Sequence, residues 1–155
     1  MKFQTATLSR NGGRKDNEDY IIYKEEEGYA CWVVADGLGG HPGGALASRI
    51  VAEEIAKRFF LTKRIDVASI RLYMKTAHGV LLQQQEEEGS VQSYKTTVVA
   101  LFTDGKNMRW GHAGDSRIYR IHRGSVVYQS RDHSVPQLMV DAGELKPGEI
   151  RFHED

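Results

Sequence analysis

VVADGLGGHPGG, residues 33–44, joins an apolar strand pattern to a helical one that begins at Ala45. The apolar run ends in an acid, so Asp36 is expected at the mouth of a buried strand with its carboxylate directed out of the core. Gly37, Gly39 and Gly40 carry no Cβ, and the main chain there can pass close to whatever that carboxylate holds. A carboxylate beside an exposed peptide carbonyl is a hard-oxygen site, suited to magnesium or manganese rather than zinc. Asp-Gly is also a common turn pair, and from this segment alone a plain surface β-to-α turn is the simpler reading.

Upstream, residues 3–9 alternate in period two and predict a strand, followed by the loop signal Asn11-Gly12-Gly13. Residues 20–23 and 29–34 predict a hairpin closed by a charged turn at 24–28. Cys31 and Val33 would lie on one face of it, Trp32 and Val34 on the other. Downstream, Ala47, Val51, Ile55 and Phe59 recur every four residues and predict a helix over 45–60 with its wet side at Arg49, Glu53, Glu54, Lys57 and Arg58. Asp66 is a good N-cap for a second helix, whose stripe Val67, Ile70, Met74, Ala77 and Leu81 faces a core. Residues 83–88 read as a polar tail and a solvated helix end.

Strands then return. Residues 95–103 are apolar on both faces and predict a central, covered strand. Turns at Asp104-Gly105, Asp115-Ser116 and Arg123-Gly124 separate strands over 108–114, 117–122 and 126–128. Ser134 opens a short helix in which Gln137 completes a capping-box pattern, and Gly143 stops it. Strands, two helices and a strand meander make an α+β layered fold of mainly antiparallel sheet.

At 155 residues the chain reads as a single domain, 1–155, or part of one. Twenty-one basic and 21 acidic residues leave no net charge, against a dedicated nucleic-acid or polybasic membrane surface. The lone Cys31 can form no internal disulfide and suits a reducing, cytoplasmic setting. No apolar run approaches the roughly 20 residues that span a bilayer, and the first residues lack the apolar core of a signal peptide.

Four turns carry acids at predicted strand ends: Glu18-Asp19, Asp36-Gly37, Asp115-Ser116 and Asp132-His133. Brought to one edge, such carboxylates repel unless protonated or bridged by cations. A pair of divalent ions solves that problem and lowers the pKa of a shared water. Arg14, just upstream, has the forked guanidinium that fits phosphate oxygens. Taken singly, each residue reads as readily as a surface charge or a turn cap.

Taken together, RKDNEDY (residues 14–20), VVADGLGGHPGG, KTTVVALF (95–102), WGHAGDSRIYRIHRG (110–124) and SRDHSVPQLMVDAGEL (130–145) resemble the bacterial metal-dependent serine/threonine protein phosphatases of type 2C. The resemblance implies an α-β-β-α sandwich with a binuclear magnesium or manganese centre, and a possible third ion. It implies that Asp36 bridges the two metals, that the Gly37 carbonyl coordinates one, and that Glu18 and Asp19 support that metal directly or through water. Arg14 would hold the substrate phosphate, and Asp115 matches an aspartate near a weaker metal position. Asp132 and His133 match a segment bordering the site, with no chemical step assigned. The implied reaction is hydrolysis of phosphoserine and phosphothreonine in proteins by a metal-bound hydroxide, in signalling opposite a cognate serine/threonine kinase.

Three departures from the family stand out. Its members continue past the segment at Gly143 and carry two more metal-ligating aspartates there. The sequence therefore reads as an N-terminal portion, incomplete at the C-terminus, whose open sheet edge suits a homodimer. Leu38 stands where some relatives have a histidine, and His41 follows the glycines instead. Lys95 replaces a glycine before the paired threonines. The alternative readings are a catalytically inactive phosphatase-like module acting in regulation or binding, and a phosphate- or nucleotide-binding glycine turn that lacks its lysine.

Overall fold

The computed structural model describes residues 3–38, 43–89 and 94–152. Gly39, Gly40 and His41 lie outside the described residues. The elements are β1 (Asp19–Glu26), β2 (Tyr29–Asp36), α1 (Gly44–Thr62), α2 (Val67–Glu87), β3 (Val98–Thr103), β4 (Met108–Ala113), β5 (Tyr119–His122), β6 (Ser125–Gln129) and α3 (Val135–Ala142), with a 3₁₀ turn at Pro147–Phe152. They divide into two compact units, Met1–His112 and Ala113–Asp155.

The first unit is a helical layer on a four-stranded sheet of order β1-β2-β3-β4. β1 and β2 pair antiparallel from Asp19 opposite Asp36 to Glu26 opposite Tyr29. Their turn is only Glu27-Gly28, both at positive φ (53° and 84°), the two-residue geometry whose twist matches flanking strands. It is tighter than the expected 24–28 turn because Lys24, Glu25 and Glu26 stay in the ladder. A strand on the rim of the sheet keeps one edge in water and tolerates such charges. Cys31 and Val33 are buried and Val34 is exposed, so the faces divide as expected.

β3 lies between β2 and β4, with every residue buried except the half-buried Leu101. Cys31 pairs with Phe102 and Val33 with Ala100, which puts these four on the face that meets the helices. From α1, Ala47, Val51, Ile55 and Phe59 pack onto it. α2 starts at Asp66, whose carboxylate accepts from the Ser69 N–H at 3.0 Å and from its Oγ at 2.7 Å. Ile70, Ala77 and Leu81 are buried and Met74 is half-buried, whereas Val67 is exposed in the first turn.

Three readings of this unit are corrected. Residues 3–9 form no strand. Phe3 stands edge-on to Trp32 at 5.1 Å, and Trp32 Nε1 donates to Thr5 Oγ1 at 2.9 Å, so the alternation reflects contact with the outer face of β2 rather than a backbone ladder. Tyr73, off the predicted stripe, is buried among Phe59 and Phe102, and its hydroxyl donates to the Arg64 carbonyl at 2.8 Å. Gln85 is buried within the supposed polar tail, because its amide donates to the Tyr94 carbonyl at 2.6 Å and is thereby satisfied.

The second unit holds the antiparallel hairpin β5–β6, turning at Arg123-Gly124, and α3. The strand expected over 117–122 starts at Tyr119, since Ile118 N–H is taken by Ser130 Oγ at 3.0 Å. Ser134 Oγ caps α3 through Gln137 N–H at 3.4 Å, but the Gln137 side chain turns to Asp141 at 2.9 Å. The cap is thus not closed by Gln137 in the reciprocal manner expected of a capping box. The fold is α+β with antiparallel sheets, as the sequence predicts. Among the described residues no helix is long and apolar enough to cross a membrane.

Candidate active site

The β1–β2 ladder sets the site. Because Asp19 opens one strand and Asp36 closes its neighbour, register places them directly opposite each other at the same end of the sheet. Such partners have Cβ atoms roughly 5 Å apart. Asp19, Asp36 and Glu18 line one cavity of about 280 Å³ with Arg10, Arg14 and Asp16. Four carboxylates there face two guanidinium groups, an excess of negative charge that seeks a cation.

Asp36, Glu18 and Asp19 are held through their backbone. The Asp36 carbonyl accepts from Thr97 N–H and Thr96 Oγ1, both at 2.9 Å. The Glu18 carbonyl accepts from Gly37 N–H at 3.1 Å and from Ser48 Oγ at 2.6 Å. Asn17 Oδ1 accepts from the Asp19 N–H at 3.0 Å. Arg14 Nη1 lies 3.5 Å from Glu18 Oε2, with the arginine 61 % exposed and the glutamate 17 %. Among the described residues that arginine is fastened to Glu18, and most of its side chain is open to solvent.

Packing supplies a reason of its own for a glycine at position 37. A Cβ there would lie 2.3 Å from the Gly44 carbonyl oxygen and 2.7 Å from that of Glu18. The missing side chain lets the end of β2 close on the start of α1. A Cβ on Gly44 would likewise meet Glu18 Oε1 at 2.8 Å, so the Glu18 carboxylate rests against the N-terminal turn of α1, where the helix dipole favours an anion. Lys95 is exposed, and its carbonyl accepts from Leu38 N–H at 3.0 Å.

In the second unit the other two acid turns adjoin, since the Gly114 carbonyl accepts from His133 N–H at 2.9 Å. Asp115 is exposed. Asp132 is buried and takes both ends of the Arg117 fork, Nε at 2.7 Å and Nη2 in a shorter contact. The carboxylate beside it holds the Arg117 guanidinium well above its ordinary pKa. Asp132 is thus a structural anchor.

The cavity lining fits the metals implied by the motifs in its chemistry. Its carboxylates are hard oxygen donors, and among the described residues no thiol or imidazole lines it. Among the described residues no three His, Cys, Asp or Glu side chains converge as a complete ion cage. What the structure does bring together is Asp19 opposite Asp36, with Glu18 lining the same cavity. Ser48, Thr96, Asn17 and Arg10 were not legible as site residues. Ser48 and Thr96 act through carbonyls far away in sequence, and Asn17 and Arg10 carry no motif of their own.

Residues 9–140 match the family model described as protein phosphatase 2C. Protein phosphatase PhpP of Streptococcus pneumoniae is 31 % identical over 147 residues, covering 90 % of this chain and 58 % of its own length. The serine/threonine protein phosphatase PstP of Mycobacterium tuberculosis is 28 % identical over 149 residues, covering 96 % and 28 %. The chain thus spans little more than half of the first relative and under a third of the second. The crystal structure of the M. tuberculosis phosphatase superposes with a TM-score of 0.77 at 29 % identity, covering 90 % of this chain and 58 % of that one. A structure of the PstP catalytic domain in complex with two manganese ions gives 0.76 at 27 %, covering 96 % and 66 %. The family match takes in every acid turn considered above, from Glu18-Asp19 to Asp132-His133, and the chain belongs to the protein phosphatase 2C family.

Proposed function

We propose that this chain carries the phosphoserine/phosphothreonine hydrolase chemistry of its family at the cavity between Arg14 and Asp36, acting on phosphorylated proteins in signalling. The observation that carries the reading is the register of β1 and β2, which opposes Asp19 and Asp36 beside Glu18 and Arg14. The family model crosses from the first unit into the second, which supports taking both as parts of one phosphatase domain. A cognate kinase, a cytoplasmic setting suited to the free Cys31, and a homodimer through a sheet edge belong to the same reading.

Asp36 would bridge two magnesium or manganese ions, with the Gly37 carbonyl, Glu18 and Asp19 as further donors and Asp115 at a weaker third position. Bound there, such ions would neutralise the carboxylates and supply an activated water for attack on phosphorus. Thr96 and Thr97 hold the Asp36 main chain, which limits the positions its carboxylate can take. Arg14, anchored on Glu18, would turn its free side to the phosphate oxygens and fix the phosphorus in line. Leu38 has no proton to give a leaving alkoxide, and the other histidine singled out, His41, is outside the described residues.

The test is manganese-dependent hydrolysis of a phosphothreonine peptide by the whole chain and by Asp36→Asn. The expected loss is about 100-fold or more, at the upper end of what disturbing a metal site costs. Equal rates would remove Asp36 from the mechanism. The second reading, an inactive binding module, draws on the incomplete cage among the described residues. Calorimetric titration with manganese separates the two, since tight binding of two ions counts against it.

A further inference from the structure

We infer that Ser48 is a positioning residue for the acid cluster, setting Glu18 and Asp19 against Asp36 from one turn inside α1. This rests on the metal-site reading above. Ser48 is fully buried, and its hydroxyl lies 2.6 Å from the Glu18 carbonyl oxygen and 3.1 Å from that of Ala45. A hydroxyl has one proton to donate, and the shorter contact takes it. The same Glu18 oxygen accepts the Gly37 N–H at 3.1 Å. Three segments distant in sequence meet on this one atom: the loop carrying Arg14, Glu18 and Asp19, the end of β2 carrying Asp36 and Gly37, and α1.

The geometry explains why a side chain is used here. Glu18 precedes the first residue of the β1–β2 ladder, so no strand pairing fixes its own peptide. Gly37 N–H supplies one bond, but Gly37 is itself the residue after β2 and is held by an isolated bridge to Thr96. Ser48 belongs to a rigid helix whose neighbouring residues Ala47, Val51 and Ala52 are buried. Its hydroxyl therefore refers the acid loop to the core of the unit. Gly44, on the same helix, leaves room for the Glu18 carboxylate. α1 thus sets both the peptide and the side chain of Glu18.

The experiment compares the whole chain, Ser48→Ala and Ala52→Gly by manganese titration calorimetry, thermal melting and hydrogen exchange of the Gly37 amide. Ala52→Gly loosens the same buried helix without touching Glu18. Ser48→Ala is expected to weaken manganese binding by 10- to 100-fold, the usual effect of removing a group that orients a ligand. It should also speed Gly37 exchange by about tenfold, as loss of one hydrogen bond allows. Ala52→Gly should lower the melting temperature and leave manganese affinity and Gly37 exchange unchanged. Manganese affinity within twofold of the parent in Ser48→Ala, unchanged Gly37 exchange, or equal weakening in Ala52→Gly would each overturn the assignment. If the parent chain takes up no manganese, the metal-site reading fails by itself. Gly37 exchange, measured without metal, then still decides whether Ser48 holds the loop.

Discussion

Asp36 in the first unit and Asp132 in the second keep different company. Asp36 faces Asp19 across a strand pair and shares its cavity with Glu18 and Asp16. Asp132 is buried and is closed off by both arms of Arg117. One carboxylate is placed where negative charge accumulates, which costs stability and creates a demand for cations. The other is placed where charge is cancelled, and what it provides is shape. The units differ in the same sense in their apolar parts. The first buries Phe59, Phe102, Ile55 and Val33 completely, while in the second the hairpin leaves Ile121, Val126 and Val127 exposed. A rigid core under the first cluster lets it hold an unfavourable arrangement of charge.

The largest expected effect tests that core. Phe59 packs against Tyr29, Phe60, Tyr73 and Phe102 at ring distances of 5.0–6.4 Å. Phe59→Ala should cost about 3–5 kcal/mol in urea unfolding, from lost burial and the cavity left behind. Ile121→Ala, on the exposed hairpin, should stay within about 0.5 kcal/mol. Equal losses would abolish the contrast between the units.

The next effect separates the two aspartates. Asp132→Ala leaves the Arg117 guanidinium without its buried partner and should destabilise the chain by about 2 kcal/mol. That is less than the loss of a fully buried pair, because the Arg117 side chain is 38 % exposed and recovers some hydration. Asp36→Asn without metal keeps the shape of the side chain and should cost less than Asp132→Ala does. A large loss on Asp36→Asn would show that Asp36 is a structural anchor like Asp132.

Much of this arrangement was legible in the residues. Period-four spacing located α1, Asp66 marked the start of α2, and the acid at the end of an apolar run located the mouth of β2. The strand at 3–9 was misread because alternation records which side chains touch a surface, and not whether the backbone has a ladder partner. Tyr73 and Gln85 escaped because a polar atom hides a core residue until its hydrogen-bond acceptor is known. Gly37 was marked as a place where the main chain must come close, and the fold adds which atoms a Cβ there would strike. Ser48 and Thr96 lie 30 and 60 residues from the carbonyls they hold, a separation that no local pattern encodes.

The last effect reads the first unit through its one thiol. Cys31 is fully buried on the helix-facing side of β2, and burial pushes its pKa from 9.0 up to about 12. The folded chain keeps that proton where the unfolded chain has lost it. Unfolding therefore releases a proton in this range, and stability falls as pH rises through it. Below pH 9.0 both states hold the proton and the contribution is flat. Cys31→Ala removes the titrating group, so its denaturation midpoint should decline less than the parent's between pH 8 and pH 10. Parallel declines would mean that the thiol is hydrated in the folded chain. The same logic predicts slow iodoacetamide labelling of Cys31 at pH 8 and rapid labelling in urea, since only the thiolate reacts. No buried thiol serves the second unit, where burial of charge depends on Arg117 and salt should matter instead. Raising ionic strength should thus leave the slope set by Cys31 unchanged while weakening the partly exposed Arg117–Asp132 pair.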